Sequence, residues 1–250
     1  MSAYIKPPDT PLVRLGKRLR RPLNRLIAKS SKLPNTPFLD RHSVPWVSML
    51  EREAPAIRRE LEPLIAERDC IPPLGQISPD HRRVAPSDKW RSFFFEAYGY
   101  KLQTNRQLCP ATAACLDRID DLVVAFFSIM EGGTHVPRHK GVSKALLNVH
   151  LALVVPNPPG SCRVSVDNEV RYWREGQVLI LDDTYPHEVW NDSNELRAIL
   201  FIQVRRPVGL LGRLLGTVFL TGVKRTSYVQ EARAVLAGKA LRRRGRVPAC

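Results

Sequence analysis

The spacing of apolar residues changes character part-way along the chain. In the first stretch, Leu12, Leu15, Leu19, Leu23 and Leu26 recur at steps of three and four, followed by Ile27. Arg14, Lys17, Arg18, Arg20, Arg21 and Arg25 lie between them. That period predicts a basic amphipathic helix, kinked at Pro22. The segment "SMLEREAPAIRRELEPLIAE" (Ser48–Glu67) repeats the helical spacing, with prolines expected at its joints. A Pro/Gly-rich loop, "IPPLGQISPD", separates it from the aromatic cluster "KWRSFFFEAYGY", read as a strand, and "CPATAACLDRI" reads as a short helix after Pro110. From Asp121 the texture becomes that of short strands. "LVVAFFSIM", "LLNVHLALVV", "CRVSVD", "EVRYW", "QVLILDD", "EVWN" and "RAILFIQV" are β-branched or aromatic runs separated by Gly, Pro, Asn and Asp. No βαβ alternation accompanies them, so a sandwich, barrel or jelly roll is expected.

Charge sharpens this division. The 250-residue chain carries a formal net charge of +15. Residues 1–35 hold nine Lys/Arg against one Asp, and residues 205–250 hold eleven against one Glu, leaving about −3 for the middle. Two basic flanks therefore surround a near-neutral domain. In the second flank, Val208–Val223 is an apolar run of sixteen residues, interrupted by Arg213 and ending at Lys224 and Arg225. It is shorter than the roughly 18 apolar residues of a membrane-span candidate and suits lying on a bilayer. Packing on the domain with solvated charges is the plain alternative. An RNA surface is not expected, because no aromatic ladder or nucleic-acid motif accompanies the charge. The N-terminus lacks an apolar core followed by a cleavage site, so export is not expected. Five scattered cysteines without a CxxC pair predict neither a disulfide framework nor a zinc site.

The chemistry has to come from the histidines. The alternation in "NVHLALVV" puts Asn148, His150 and Ala152 on one face of a strand. His139 lies in the loop-like "PRHKG" just before that strand, and His187 follows the strand "QVLIL". Two histidines from different strands at the mouth of a β-barrel are a usual start for an Fe(II) site, yet a third carboxylate ligand two residues after the first would fall on Gly141. Taken singly, each histidine reads equally as a satisfied polar residue, and Asp182 and Asp183 as a turn and a cap. Arg197, near the start of an apolar strand, is either exposed or buried against an anion, and its planar fork suits a carboxylate.

The joined pattern "FFSIMEGGTHVPRH", "HKGVSKALLNVHLALVVP" and "CRVSVDNEVRYWREGQVLILDDTYPHEVWNDSNELRAILFIQVRRP", from Phe126 to Pro207, resembles the aspartyl/asparaginyl β-hydroxylase family of Fe(II)- and 2-oxoglutarate-dependent dioxygenases. "LPNTPFLD" and "KWRSFFFEAYGY" are similar to bacterial members that include lipid hydroxylases. The resemblance implies a mainly β protein with a double-stranded β-helix (jelly-roll) core and flanking helices. The expected layout is an N-terminal flank over 1–35, a dioxygenase domain over 36–207 with its core at about 121–207, and a C-terminal flank over 208–250. It implies His139 and His187 as iron ligands, with Gly141 matching members that lack the third carboxylate. It implies Arg197 as the anchor for the distal carboxylate of 2-oxoglutarate, with Ser128 and His150 as further contacts. Asp182, Asp183, Asn148, Lys140 and Trp190 are expected to support these ligands or to meet substrate. One departure stands out: Asn148 occupies a position where family members commonly carry an arginine, which disfavours a substrate carboxylate there.

The expected activity is therefore hydroxylation with Fe(II), 2-oxoglutarate and O2, giving succinate and CO2. The substrate is an aspartyl/asparaginyl-like side chain of a peptide or small molecule, or a membrane-lipid acyl chain. The competing reading is a non-catalytic jelly-roll binding module at the membrane surface. The expected location is the cytoplasm, peripheral on the inner face of an anionic membrane if the flanks engage lipid. Nucleic acid is not an expected partner.

Overall fold

The structure, a computed structural model, describes residues 11–77, 84–85, 87–158, 160–226 and 229–236. Residues 1–10 and 237–250 of the two flanks, Cys250 among them, lie outside the described residues, as do the side chains of Leu12, Arg14, Leu15 and Lys17. In chain order the elements are α1 (Pro11–Lys29), β1 (Phe38–Leu39), α2 (Val47–Ala66), α3 (Leu74–Ile77), β2 (Trp90–Ala97), β3 (Tyr100–Lys101), α4 (Gln103–Leu108) and α5 (Pro110–Leu116). There follow β4 (Leu122–Met130), β5 (Thr134–His139), β6 (Leu146–Val154), β7 (Cys162–Val166), β8 (Glu169–Tyr172), β9 (Val178–Leu181), β10 (His187–Asn191), β11 (Arg197–Arg205) and α6 (Leu210–Lys224).

Two antiparallel sheets enclose the core. The larger runs β1-β9-β6-β11-β4-β2-β3 and the smaller β5-β10-β7-β8. From β4 onward the chain visits them in the order large, small, large, small, small, large, small, large. That winding is the double-stranded β-helix, and helices flank it. Period-two alternation gives each strand of the large sheet two different faces. Phe127, Ile129, Val149, Leu151, Leu200 and Ile202 point outward and pack beneath α2, whose Leu50, Ala54, Ile57 and Leu61 fall on one helical stripe. The opposite face points between the sheets, where Ala152 and Ile199 meet Cys162, Val164 and Val166 of the small sheet.

Most elements match their sequence patterns, with instructive exceptions. α2 runs through Pro55 and Pro63 rather than breaking at them. The segment around His139, read as loop-like, is strand β5. Pro137 lowers its strand signal, but β5 lies at the edge of the small sheet, where a missing N–H costs no ladder bond. Cys109, Cys115 and Cys162 are thiols, whereas Cys70 is disulfide-bonded, which the scattered cysteines did not predict.

Candidate metal centre and cosubstrate pocket

β5 and β10 are hydrogen-bonded neighbours in a register that sets His139 directly opposite His187. Their rings lie side by side, with centroids 4.0 Å apart. Each ring is held in the same way. His139 Nδ1 donates to the Pro137 carbonyl at 2.8 Å, and His187 Nδ1 to the Tyr185 carbonyl at 3.1 Å. A carbonyl can only accept, so the proton sits on Nδ1 and the lone pair on Nε2 in both rings. Burial, and then the neighbouring His139, push the His187 pKa down to about 4, so it is neutral near pH 7. Two imidazoles oriented in this way suit a divalent transition metal. Among the described residues no group of three His, Cys, Asp or Glu side chains gathers as a metal site, so the chain's own donors at this point are the histidine pair.

The interior faces of β4, β6 and β11 form the adjoining pocket. Phe94, Phe126 and Phe201 stack in series, each step 4.6 Å between centroids, and close it with an apolar wall. His150 stands against Phe201 at 5.1 Å and near the Trp173 ring at 6.1 Å. The Arg197 guanidinium lies 4.8 Å over that same Trp173. Arg197 is buried, and burial lowers its pKa. Its Nε, both nitrogens of His150 and Trp173 Nε1 are buried without a hydrogen-bond partner. Orphaned buried polar atoms of this kind are costly, those of a guanidinium most of all. A small dicarboxylate would accept from Arg197 Nε, from Trp173 Nε1 and from the protonated nitrogen of His150, so the residues fit 2-oxoglutarate. Burial first, and then the charges of Arg197 and His187, hold the His150 pKa down to about 3. Ser128 faces this interior and accepts a hydrogen bond from Trp90 Nε1 at 2.9 Å.

The two aspartates of "LDD" have separate roles. Asp182 is a buried hub that accepts from Arg206 and Lys144, each at 2.6 Å, and from the Thr184 backbone at 3.1 Å. Its oxygens are thus engaged away from His187, whose ring is held by a carbonyl instead. Lys144 is paired with Asp182 and offers no free charge to a substrate anion. Asp183 accepts from Asn148 Nδ2 at 3.2 Å, and Asn148 Oδ1 accepts from Gln203 at 2.9 Å. Burial, then the charge of Asp182, push the Asp183 pKa up to about 7. Its carboxylate occupies the space over Gly141: a Cβ there would run into it. Gly141 therefore has a steric reason to be glycine. We expect Gly141→Ala to destabilise the fold by about 1–3 kcal/mol through overpacking, and Asp183→Ala in the same chain to recover most of that loss. Thermal unfolding of the four proteins of this cycle checks it, and strictly additive effects would contradict the contact.

Two expected site residues lie elsewhere. Trp190 stands on the outer face of the small sheet, stacked on His135 at 5.5 Å with Arg163 over it at 4.7 Å. Strand alternation accounts for this: His187 points inward, so Trp190, three residues on, points out. Lys140 is exposed. Trp173 is the residue the sequence reading missed. It ends a run whose preceding four residues are all exposed, so nothing local marks it as buried against Arg197.

Comparison with known proteins bears on the family of the chain. A family model described as Aspartyl/Asparaginyl beta-hydroxylase matches residues 51–207. An ornithine lipid ester-linked acyl 2-hydroxylase of Rhizobium tropici is 36% identical over 81% of this chain and 72% of its own length. The aspartyl/asparaginyl beta-hydroxylases of Mus musculus and Homo sapiens are 33% and 31% identical over 53% of this chain, which spans only 18% of either. Among solved structures, a cupin domain from Schizosaccharomyces pombe aligns with a TM-score of 0.28 at 16% identity, over 35% of this chain and 59% of that one, and adds nothing to the strand order.

Proposed function

The chain belongs to the aspartyl/asparaginyl β-hydroxylase family, and from that premise we propose that it is an Fe(II)- and 2-oxoglutarate-dependent hydroxylase. The observation that carries this reading is a carbonyl-oriented histidine pair together with a buried arginine whose Nε has no hydrogen-bond partner. His139 and His187 would hold the iron. Arg197 would take the distal carboxylate of 2-oxoglutarate, with His150 and Ser128 beside it. Iron with 2-oxoglutarate and O2 supplies the oxidising chemistry, which adds a hydroxyl to a substrate carbon and releases succinate and CO2. The protein's part is placement. The Pro137 and Tyr185 carbonyls fix the ring tautomers, the Phe94–Phe126–Phe201 wall excludes water, and the Gln203–Asn148–Asp183 chain shapes the rim beside Gly141.

For the substrate we propose the acyl chain of a membrane lipid. The relative matched over most of this chain carries a lipid acyl hydroxylase name. Asn148 is neutral, and Lys144 is already paired with Asp182, so neither offers a charge to a substrate carboxylate. An aspartyl or asparaginyl side chain is the second reading, supported by the family match.

Anaerobic titration with Fe(II) and 2-oxoglutarate tests the enzyme reading. A visible charge-transfer band should appear only when both are present. If no band forms and calorimetry shows that neither ligand binds, the non-catalytic binding module replaces the hydroxylase. With a functional site in hand, mass spectrometry should find one oxygen atom gained by lipid acyl chains; oxygen gained only by aspartyl peptides would reverse the substrate assignment.

A further inference from the structure

α6 leaves much of its apolar surface uncovered. Its buried residues are Gly212, Gly216 and Leu220, while Leu210, Leu211, Leu214 and Val218 face away from the protein. Leu210 is 88% exposed, Leu214 60% and Val218 64%, with Leu211 beside them. The glycines are needed where they are. A Cβ on Gly212 would run into Ser30 Oγ and Val208, and one on Gly216 would lie 3.1 Å from the Ala145 Cβ. The helix thus sits flush on the end of α1 and on the loop before β6, and turns this apolar stripe outward. An ordinary surface helix buries that stripe. A contiguous exposed apolar patch of this kind marks an interaction site.

The charge around the stripe says what covers it. α1 packs beside α6, using Arg20, Asn24 and Ile27 inward: Arg20 donates to the Gly141 carbonyl, Asn24 Nδ2 to the Val142 carbonyl at 3.3 Å, and Asn24 Oδ1 accepts from Lys144 N at 3.0 Å. Its exposed side carries Arg18, Arg21, Arg25 and Lys29, interleaved with Leu19 and Leu26. Neither helix contains an Asp or Glu. Beside α6 lies a pocket of about 210 Å3 with Lys32, Arg205 and Arg213 in its wall. Among the described residues, no helix is long and apolar enough to cross a membrane. Leucines flanked by cations, on two helices that hold no carboxylate of their own, match the apolar interior and anionic headgroups of a bilayer interface. A second copy of this chain would bring the same positive charge against itself.

We propose that the outward faces of α1 and α6 form a docking surface for an anionic phospholipid bilayer, with Leu210, Leu211, Leu214 and Val218 entering the acyl boundary and Arg18, Arg21, Arg25 and Lys29 meeting the headgroups. α1 is tied to residues 141–144, two to five positions after His139, so docking sets the mouth of the site at the bilayer. The inference stands on packing and charge, independently of the hydroxylase reading.

Flotation of the full chain with vesicles of phosphatidylcholine, or of phosphatidylcholine mixed with phosphatidylglycerol, tests it without any turnover. Binding should require phosphatidylglycerol and fall with salt. L214E/V218E should lower partitioning at least about tenfold, and R18E/R21E/R25E should abolish the phosphatidylglycerol dependence. All five positions are exposed, so melting temperatures should stay near that of the wild type; if the glutamate pair fails to fold, L214A/V218A replaces it, with a smaller loss expected. Wild-type binding by the leucine variants would overturn the proposal and place any affinity elsewhere on the basic chain. So would absence of vesicle binding combined with sedimentation-velocity self-association that L214E/V218E removes, which would identify a second copy as the occupant.

Discussion

Arg197→Ala is expected to weaken 2-oxoglutarate binding roughly 100-fold while leaving Fe(II) affinity nearly unchanged. Arg197 is buried, its Nε has no partner, and its guanidinium is stacked over Trp173. A carboxylate bound there would gain a charge-assisted bond in a low-dielectric pocket, and breaking such a pair costs about 3 kcal/mol or more, equivalent to about two powers of ten. The stability of the ligand-free protein should respond differently. Alanine removes a buried cation that lacks a compensating anion, so the melting temperature without 2-oxoglutarate should change little, while the stabilisation conferred by adding it should vanish. Arg197→Lys should not rescue binding, because a point charge cannot reproduce the planar fork. Calorimetry with each ligand separately, together with thermal shifts, checks all three statements. Equal loss of iron and 2-oxoglutarate affinity would contradict the assigned role.

His187→Ala is expected to do the reverse: to abolish iron binding and, with it, product formation, at levels beyond the roughly 10- to 100-fold typical when only a supporting residue of a metal site is lost. The charge-transfer band should be absent at any accessible Fe(II) concentration. Tyr185→Phe provides the internal comparison. His187 Nδ1 is held by the Tyr185 backbone carbonyl, not by its phenol, so this change should leave the metal site intact. If His187→Ala retained turnover, the pairing of His139 with His187 across β5 and β10 would not be the metal centre. Together the two variants separate the halves of the pocket.

Much of this was legible from local pattern. The strand β4 coincides with the run "LVVAFFSIM", and the alternation in β6 puts Asn148, His150 and Ala152 on the interior face as expected. The joined pattern from Phe126 to Pro207 drew the resemblance that assigns expected roles to His139, His187 and Arg197. β5 was less legible because Pro137 and its polar neighbours lack strand character, and only the position at a sheet edge makes that sequence tolerable as a strand. Trp190 was misplaced for a different reason: proximity in sequence to His187 was read as proximity in space, although the side-chain alternation puts the two on opposite faces.

The sequence by itself determined most of the helices and strands and the basic flanks, because periodicity and charge are local properties that survive without a partner, and the resemblance of its joined pattern assigned the histidine pair its expected role. Only the tertiary structure decided what meets what. Trp173, just past the end of β8 in the small sheet, lies under the Arg197 guanidinium of β11 in the large sheet, a meeting of segments that only the tertiary winding produces. The Asp183 carboxylate fills the space over Gly141 because the turn after β9 folds against the loop after β5. The run Val208–Val223 reads as apolar throughout, and only the structure decides that Gly212, Gly216 and Leu220 of α6 are buried while Leu210, Leu211, Leu214 and Val218 stay exposed. The close approach of Ser30 and Val208 to Gly212 and of Ala145 to Gly216 leaves little room for a Cβ at those two positions, so glycine holds the contact there.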